Sequence, residues 1–194
     1  MVNKMKLFDP KIGKEEELAV KRIMKSGFWA SGAGIENVKK FEKMFSKYTK
    51  TKNSVAVNSG TAALNLALSV FDIKNKEVIL PSLSFISTAH AIILNGGTPI
   101  FVDVDPKTLC IDPIQIKKSI SAKSIMILPV HFAGMPANME KIKEIATENK
   151  LHLIEDAAHA VGSTYNHKKI GSHGDLVCFS FHPVKNLAMP MGGL

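Results

Sequence analysis

Cysteines, long apolar runs and a leader-like start are scarce or missing in this sequence. Its two cysteines, Cys110 and Cys178, show none of the close spacings of a disulfide framework or a metal site. No apolar run reaches membrane-spanning length, and the opening letters, MVNKMKLFDPKIGKEEE, lack the apolar middle segment of a secretory signal. We therefore expect a cytoplasmic protein with no metal, in which both cysteines are plain thiols and Cys178 is buried.

Blocks of basic residues are also absent, although the formal net charge is +8. The lysines are scattered, with no arginine-rich block and no alternation of aromatic and basic residues. Most of this charge is therefore attributed to solvated helix faces, and we expect no nucleic-acid partner and no membrane partner. A surface of this sign will not repel a phosphorylated small molecule.

Short apolar runs alternate with helical patterns along most of the chain. The runs that predict strands are SVAV (54–57), EVILP (77–81), PIFVDV (99–104), SIMILPV (124–130), LHLIE (151–155) and DLVCFSF (175–181). Two further helices, KEEELAVKRIMKSG and IENVKKFEKMFSKYTK, precede the first strand, and a glycine-rich break around Trp29 separates them.

The helical patterns show what each helix is expected to cover. GTAALNLALSVF has apolar residues on all sides and predicts a buried helix, whereas Met139, Ile142 and Ile145 form one apolar stripe with charges opposite. Strands that are apolar throughout and are joined by helices predict a mostly parallel sheet covered on both faces. The expected fold is a single three-layer α/β/α domain over residues 1–194.

Ligands of such sheets bind at the carboxyl ends of the strands, so binding and catalytic residues are expected in the letters that follow each run. The first such stretch is VNSGTAAL, in which Gly60 and Thr61 begin a predicted helix. A glycine, hydroxyls and unpaired N–H groups there would hold a phosphate. Alternatively, Ser59 or Thr61 merely caps the helix.

The second stretch is LIEDAAHA, in which two acidic residues end a strand and small residues are expected to begin a helix. Asp156 is then placed deep at the sheet edge, where an unpaired carboxylate is costly and needs a cationic partner. A lysine or histidine from elsewhere supplies that charge, or a ligand does. His159, about one helical turn on, is a candidate partner.

Two more stretches carry single candidates. Phe85, just after the second predicted strand, either covers a flat ring or fills core. Lys185 follows the last predicted strand in FSFHPVKNL, in company with Ser180, and is either a solvated loop lysine or a reactive amine. A phosphate cradle, a buried acid, an aromatic ring and a lysine together are the groups that pyridoxal phosphate chemistry demands.

The chain also resembles the DegT/DnrJ/EryC1/StrS family of sugar aminotransferases, which are fold-type-I pyridoxal phosphate enzymes. The matching stretches include GFWASGAGIENVKKFEKMFSKY, VNSGTAALNLAL, LPSLSFISTAHAI, GGTPIFVDVDPKTLCIDP, PVHFAGMPANM and LIEDAAHAVGSTYNHKKIGSHGDLVCFSFHPVKNL, which cover nearly the whole chain. This resemblance implies the large domain of a homodimeric transferase, apparently truncated because family members continue into a smaller C-terminal domain.

The resemblance also implies roles for individual residues. Lys185 matches the lysine that holds the cofactor and shuttles the proton, and Asp156 matches the acid on the pyridine nitrogen. Further cofactor contacts are implied at Gly60, Thr61, Phe85, His159 and Ser180. Trp29 and His131 lie in matching segments without an implied role. Met191 stands before the paired glycines where the family usually has an acid, which leaves that local contact in doubt.

The implied reaction takes an amino group from glutamate and gives it to a nucleotide-linked keto sugar. Relatives that instead remove a hydroxyl carry histidine at the position of Lys185, so the lysine favours transamination. Two alternatives remain open at this stage: a cofactor-binding or regulatory remnant without turnover, and another pyridoxal phosphate reaction on the same scaffold. The letters do not indicate which sugar, nucleotide or carbon is involved.

Overall fold

The computed structural model describes residues 9–27, 29 and 35–194 of the chain. The helices are α1 (Lys14–Ser26), α2 (Ile35–Thr49), α3 (Gly60–Ser69), α4 (Ile86–Leu94), α5 (Pro113–Ser119) and α6 (Met139–Glu148), with a 3₁₀ turn at Phe132–Gly134. The strands are β1 (Glu77–Pro81), β2 (Thr98–Val102), β3 (Ser124–Ile127), β4 (His152–Asp156), β5 (Thr164–Tyr165), β6 (Lys168–Lys169) and β7 (Leu176–Cys178).

Five strands form one parallel sheet in the order β2-β1-β3-β4-β7. The pairs Ile79↔Ile100, Ile79↔Ile127 and Asp156↔Cys178 fix its register. Strands β5 and β6 form a separate antiparallel pair. Helices α3 and α4 pack on one side of the sheet and α5 and α6 on the other, which confirms the predicted three-layer α/β/α fold.

Alternation along the strands divides the core between the two faces of the sheet, because successive side chains point to opposite sides. Val78 and Leu80 join Leu68 of α3 and Ile92 of α4 in one apolar cluster. Ile79 lies in a second cluster, on the side of α5 and α6. A strand whose two faces are both buried must be apolar throughout, which is why β1 reads EVILP.

The two helices whose faces were predicted behave differently. Met139, Ile142 and Ile145 of α6 are all buried, so its predicted stripe is confirmed. Helix α3 is not buried all round: Leu66, and Val70 just after the helix, are exposed. Both residues line a groove of about 710 Å³ that runs beside β7.

Aromatic side chains attach α2 to the end of the sheet. Phe45 packs edge-on against Phe179 and Phe181, with ring centroids 5.0 and 5.6 Å apart. The ammonium of Lys169 lies 3.2 Å from the centroid of the Tyr48 ring, a cation–π contact between α2 and β6. Helix α1, in contrast, has no buried residue.

Two predicted elements are wrong. Residues 54–57 do not form a regular strand: Val57 makes only an isolated antiparallel bridge, to Gly193. The helix expected after Asp156 is a series of turns, closed by the N–H of Ala160 on the carbonyl of Ala157. Gly162, at φ 92°, has a left-handed conformation that ends any helical path there.

The remaining boundaries shift by a few residues. The third, fourth and last predicted strands continue as single bridges, Val104 with Ile111, Val130 with Asp156 and Ser180 with Gly193. The fifth is displaced by one residue and ends at Asp156 rather than Glu155. Both cysteines are free and buried, as predicted for Cys178.

Truncation of Ile142 tests the α6 packing. Because Ile142 is fully buried, Ile142→Ala should lower the free energy of unfolding by about 2–5 kcal/mol through lost transfer energy and a cavity. Urea unfolding followed by circular dichroism measures the change. Glu144→Ala, an exposed change on the same helix, should alter it by no more than about 0.5 kcal/mol, and equal losses in both variants would contradict this assignment of the helix face.

Candidate active site

The candidate site lies at the carboxyl end of β4, where Asp156 is the last residue of the strand and only 4% exposed. The end of β7 is adjacent, because Asp156 pairs with Cys178. The N-terminal ends of α3 and α4 lie at this same carboxyl edge of the sheet, as the parallel topology requires. Residues distant in sequence are therefore brought to one edge.

Hydrogen-bond donors hold the Asp156 carboxylate on both of its oxygens. The hydroxyl of Thr88 donates to Oδ2 at 2.9 Å, and the backbone N–H of Ala158 donates to Oδ1 at 3.1 Å. The hydroxyls of Ser84 and Thr88 lie 2.6 Å apart and extend this network toward the surface. A hydroxyl and an amide therefore stabilise the buried carboxylate by hydrogen bonds, and the expected cationic partner is found in Lys185, which interacts with Asp156 electrostatically.

Lys185 lies on a turn after β7, where its N–H donates to the carbonyl of His182. Its side chain is half-buried, and desolvation lowers the pKa of its amine from the ordinary lysine value, while the charge of Asp156 opposes that shift. The amine is therefore neutral more often than a surface lysine would be. A neutral amine is the nucleophilic form.

His159 is also half-buried, and it does not serve as the hydrogen-bonded partner of Asp156. Its Nδ1 instead accepts from the N–H of Ala133 at 3.3 Å. Burial lowers the pKa of His159, and the positive charge of Lys185 lowers it further, whereas Asp156 raises it. The ring is consequently neutral at neutral pH.

The start of α3 forms a tight cradle with Ser180. Ser59 caps the helix by accepting from the N–H of Ala62, so the capping alternative is correct for Ser59. Gly60 lies against Ser180 so closely that a Cβ at Gly60 would come within 2.7 Å of the Cβ of Ser180. Thr61 is exposed at the second position of the helix. The start of α3, with its backbone N–H groups, therefore lies in direct contact with the Ser180 side chain.

Phe85 stands at the N-cap of α4 and is 72% exposed, so the core-filling alternative is wrong for this chain. Trp29 is also exposed, and its indole N–H donates to the carbonyl of Ile23 at the end of α1. His131 is buried behind Asp156, where it pairs with Glu155. Thus Asp156, Lys185 and His159 interact electrostatically and Gly60 and Ser180 touch, whereas the hydrogen bonds of Trp29 to other described residues go to α1.

Three functional candidates were not singled out from the sequence: Ser84, Thr88 and Glu155. The spacing of Ser84 and Thr88, four residues apart at the start of a helix after a strand, is a signal that sequence reasoning had available. Nothing in the sequence pairs Glu155 with His131.

The described residues contain neither a metal cluster nor a membrane-spanning helix, and the groove beside β7 is separate from the site. Within residues 9–27, 29 and 35–194, no cluster of three or more His, Cys, Asp or Glu side chains is arranged to hold a metal ion. In the same ranges, no helix is both long enough and apolar enough to cross a membrane. The 710 Å³ groove beside β7 contains none of the predicted site residues.

Comparison with known proteins places residues 10–194 within the model of the DegT/DnrJ/EryC1/StrS aminotransferase family. The chain is 44% identical over 186 residues to the spore coat polysaccharide biosynthesis protein SpsC of Bacillus subtilis (strain 168), covering 95% of this chain and 47% of SpsC.

Solved structures show the same likeness. Spr1654 from Streptococcus pneumoniae, in its PLP-form, matches at a TM-score of 0.92 and 30% identity, covering 97% of this chain and 52% of Spr1654. Helicobacter pylori PseC, an aminotransferase involved in the biosynthesis of pseudoaminic acid, matches at 0.90 and 28%, covering 97% of this chain and 50% of PseC. The chain spans about half the length of these relatives.

Removal of the Thr88 hydroxyl tests the network around Asp156. Thr88→Val keeps the shape but leaves a buried carboxylate oxygen without its donor, which should lower the free energy of unfolding by about 1–3 kcal/mol. Thr88→Ser keeps the hydroxyl and should recover most of that loss. Chemical denaturation of the three proteins measures it, and a Val variant as stable as the Ser variant would show that the hydrogen bond contributes little.

The electrostatic link between Lys185 and His159 gives a pH prediction. In Lys185→Met the nearby positive charge is gone, so protonation of His159 becomes easier and its pKa should rise toward, but not reach, the ordinary 6.5, because burial still opposes the charged ring. NMR titration of the His159 ring protons measures the shift. Lys118→Met, at an exposed helix position, should leave the titration unchanged, and a fall in the pKa of Lys185→Met would contradict the assignment.

Proposed function

The chain belongs to the DegT/DnrJ/EryC1/StrS aminotransferase family, and on that premise we propose that residues 1–194 are the N-terminal segment and large domain of a pyridoxal phosphate-dependent sugar aminotransferase. The amino donor in this proposal is glutamate, and the acceptor is the keto group of a nucleotide-linked sugar. The observation that carries the proposal is a half-buried lysine of lowered pKa next to a buried, hydrogen-bonded aspartate.

The residues present fit pyridoxal phosphate at its phosphate, at its pyridine nitrogen and at the carbon that a lysine would hold. Gly60 lets the start of α3 pack closely on Ser180, which brings the Ser180 hydroxyl next to the first turn of that helix. Backbone N–H groups at the start of α3, with the positive end of its dipole, favour a phosphate. The exposed Phe85 ring is available to cover a flat face of the cofactor.

When bound, pyridoxal phosphate supplies an electron-accepting ring for the bonds broken at the amino-bearing carbon. Lys185 would hold the cofactor covalently and, once released, move the proton at that carbon. Its lowered pKa serves both tasks, because a neutral amine both attacks a carbonyl and accepts a proton.

Asp156 would keep a proton on the pyridine nitrogen. Two hydrogen bonds hold its carboxylate in place, and a negative charge close to that nitrogen would stabilise a positive charge there. His159 is neutral and lies beside both groups, so it would contact the ring without adding a competing positive charge.

Support for a sugar acceptor comes from the relatives, since SpsC is a polysaccharide biosynthesis protein and PseC acts in the biosynthesis of pseudoaminic acid. Support for the cofactor comes from Spr1654, which was solved in a PLP-form and a PMP-form. The lysine at position 185 favours transamination over removal of a hydroxyl, as its family position implies.

A homodimer formed through this domain is part of the same proposal. Several large apolar side chains around α4 are exposed in the single chain, including Phe85, Ile86, Ile93 and Leu94. Exposed apolar side chains at both ends of one helix are the kind of surface that a subunit interface would cover. In the dimer, residues of the partner would complete the sites.

Covalent capture of the cofactor tests the proposal. The purified chain mixed with pyridoxal phosphate should gain a visible absorbance band, and borohydride should then fix the cofactor on Lys185, as peptide mass spectrometry would show. Lys185→Ala should lose both signals while keeping its circular dichroism spectrum. Lys118→Ala, at an exposed position, should lose neither. Trapping spread over surface lysines, or unchanged in Lys185→Ala, would remove Lys185 from this role.

Addition of glutamate separates turnover from binding alone. Fading of the visible band with release of 2-oxoglutarate would show that the chain performs the first half of the reaction. A band that persists with glutamate would favour the alternative of a cofactor-binding protein without turnover.

A further inference from the structure

A fully buried hydrogen-bonded pair, His131 and Glu155, lies directly behind the candidate site. Nε2 of His131 and Oε2 of Glu155 are 2.8 Å apart, and both side chains are 0% exposed. Glu155 precedes Asp156 on β4, so the two carboxylates point to opposite faces of the strand. The pair therefore lies on the side of the strand away from the Asp156 carboxylate.

The hydrogen bonds of His131 fix where its ring proton sits. The N–H of Ala137 donates to Nδ1 at 3.1 Å, so Nδ1 must be the bare nitrogen. The proton is then on Nε2 and is donated to Glu155. His131 is a neutral ring that donates to a buried carboxylate.

This pair is a costly way to fill a core. Oε1 of Glu155 has no hydrogen-bond partner within the described residues although it is buried, and an unpaired buried oxygen destabilises the folded state. Gly174 is placed so that any Cβ there would collide with that oxygen. Apolar residues of the same volume are often equally or more stabilising at such positions, so the pair is better explained by what it positions.

The backbone shows what the pair positions. The N–H of His131 donates to the carbonyl of Asp156 at 3.0 Å, so His131 is held to β4 through both its backbone and its side chain. Two residues later Ala133 has φ 50° and ψ 24°, a left-handed conformation that is costly for a residue other than glycine. In this conformation the N–H of Ala133 donates to Nδ1 of His159.

We propose that His131 and Glu155 are positioning residues: by anchoring the 131–134 turn to β4 they hold the Ala133 N–H on Nδ1 of His159 and so keep the ring proton of His159 on Nε2. A ligand atom that faces Nε2 must then be a hydrogen-bond acceptor. The tautomer itself needs no cofactor, whereas its use toward pyridoxal phosphate rests on the proposed function.

The tautomer of His159 can be read directly by long-range ¹H–¹⁵N NMR on the whole chain without cofactor, at a pH where the ring is neutral. A fixed tautomer separates the two ring nitrogens widely, with the protonated one upfield, whereas rapid exchange brings them together. We expect widely separated signals with Nε2 protonated for both His131 and His159. A mixed tautomer, or a proton on Nδ1 of His159, would overturn the proposal.

Two variants at one position test the dependence on the pair. Glu155→Gln keeps an oxygen that accepts from His131 and should keep the His159 signals of the unaltered protein. Glu155→Met has a similar length without the acceptor and should lose most of the separation between the His159 nitrogens. If Glu155→Met lowers the melting temperature but leaves the His159 signals unchanged, the pair is only a structural support and the proposal is wrong.

A milder change covers the case in which Glu155→Met does not fold. Gly174 is only partly buried, and Gly174→Ala pushes on Oε1 of Glu155 from outside. The variant should reduce the separation between the two ring nitrogen signals of His159. If Gly174→Ala folds and moves the His131 signals but leaves the His159 separation unchanged, the coupling is contradicted. None of these results depends on capture of pyridoxal phosphate, so failure of the proposed function and failure of this inference are distinguishable.

Discussion

The carboxylate of Asp156 is almost fully withdrawn from water, and its burial is tolerable because donors reach both of its oxygens. Thr88 can donate because α4 begins at Ile86, shortly after β1, and its first turn reaches the end of β4. The backbone of Asp156 in turn accepts the N–H of His131 and donates to the carbonyl of Pro129. One residue therefore ties together the end of β4, the start of α4 and the turn that carries Ala133, and the electrostatics of Lys185 and His159 both depend on its charge.

Much of the fold follows from local sequence. Strand β1 and helix α6 are set by apolar runs and by an apolar stripe, and in both cases the pattern itself requires burial. Residues 54–57 have the same β-branched character, but a strand also needs a neighbour along its length, and only Val57 finds one, at Gly193. The expected helix after Asp156 fails for a different reason, since Gly162 imposes a turn that residue type alone does not disclose.

Most residues of the candidate site were predictable from the sequence, but the contacts between them were not. Asp156, Lys185, Ser180 and Gly60 were predicted because each follows a strand or begins a helix, and parallel topology brings such positions to one edge. Thr88 and Asp156 are 68 residues apart in sequence, and Glu155 and His131 are 24 apart, so their pairing appears only in the folded chain. For Phe85 the residues alone left ring covering and core filling both open, because sequence does not show which end of a helix faces open solvent; its exposure decides against core filling.

The contact between Gly60 and Ser180 also sets an order of events during synthesis. Gly60 leaves the ribosome long before Ser180, and Gly193 later bridges both Val57 and Ser180. A nascent chain that includes β4 already has strands β1 to β4 and the helices that cover them, so it can bury most of its apolar core. The cradle at α3 has no second wall at that point. The apolar core can therefore form before the contact between Gly60 and Ser180 does, so a ligand held by the proposed cradle could be retained only after Ser180 and Gly193 have joined the fold.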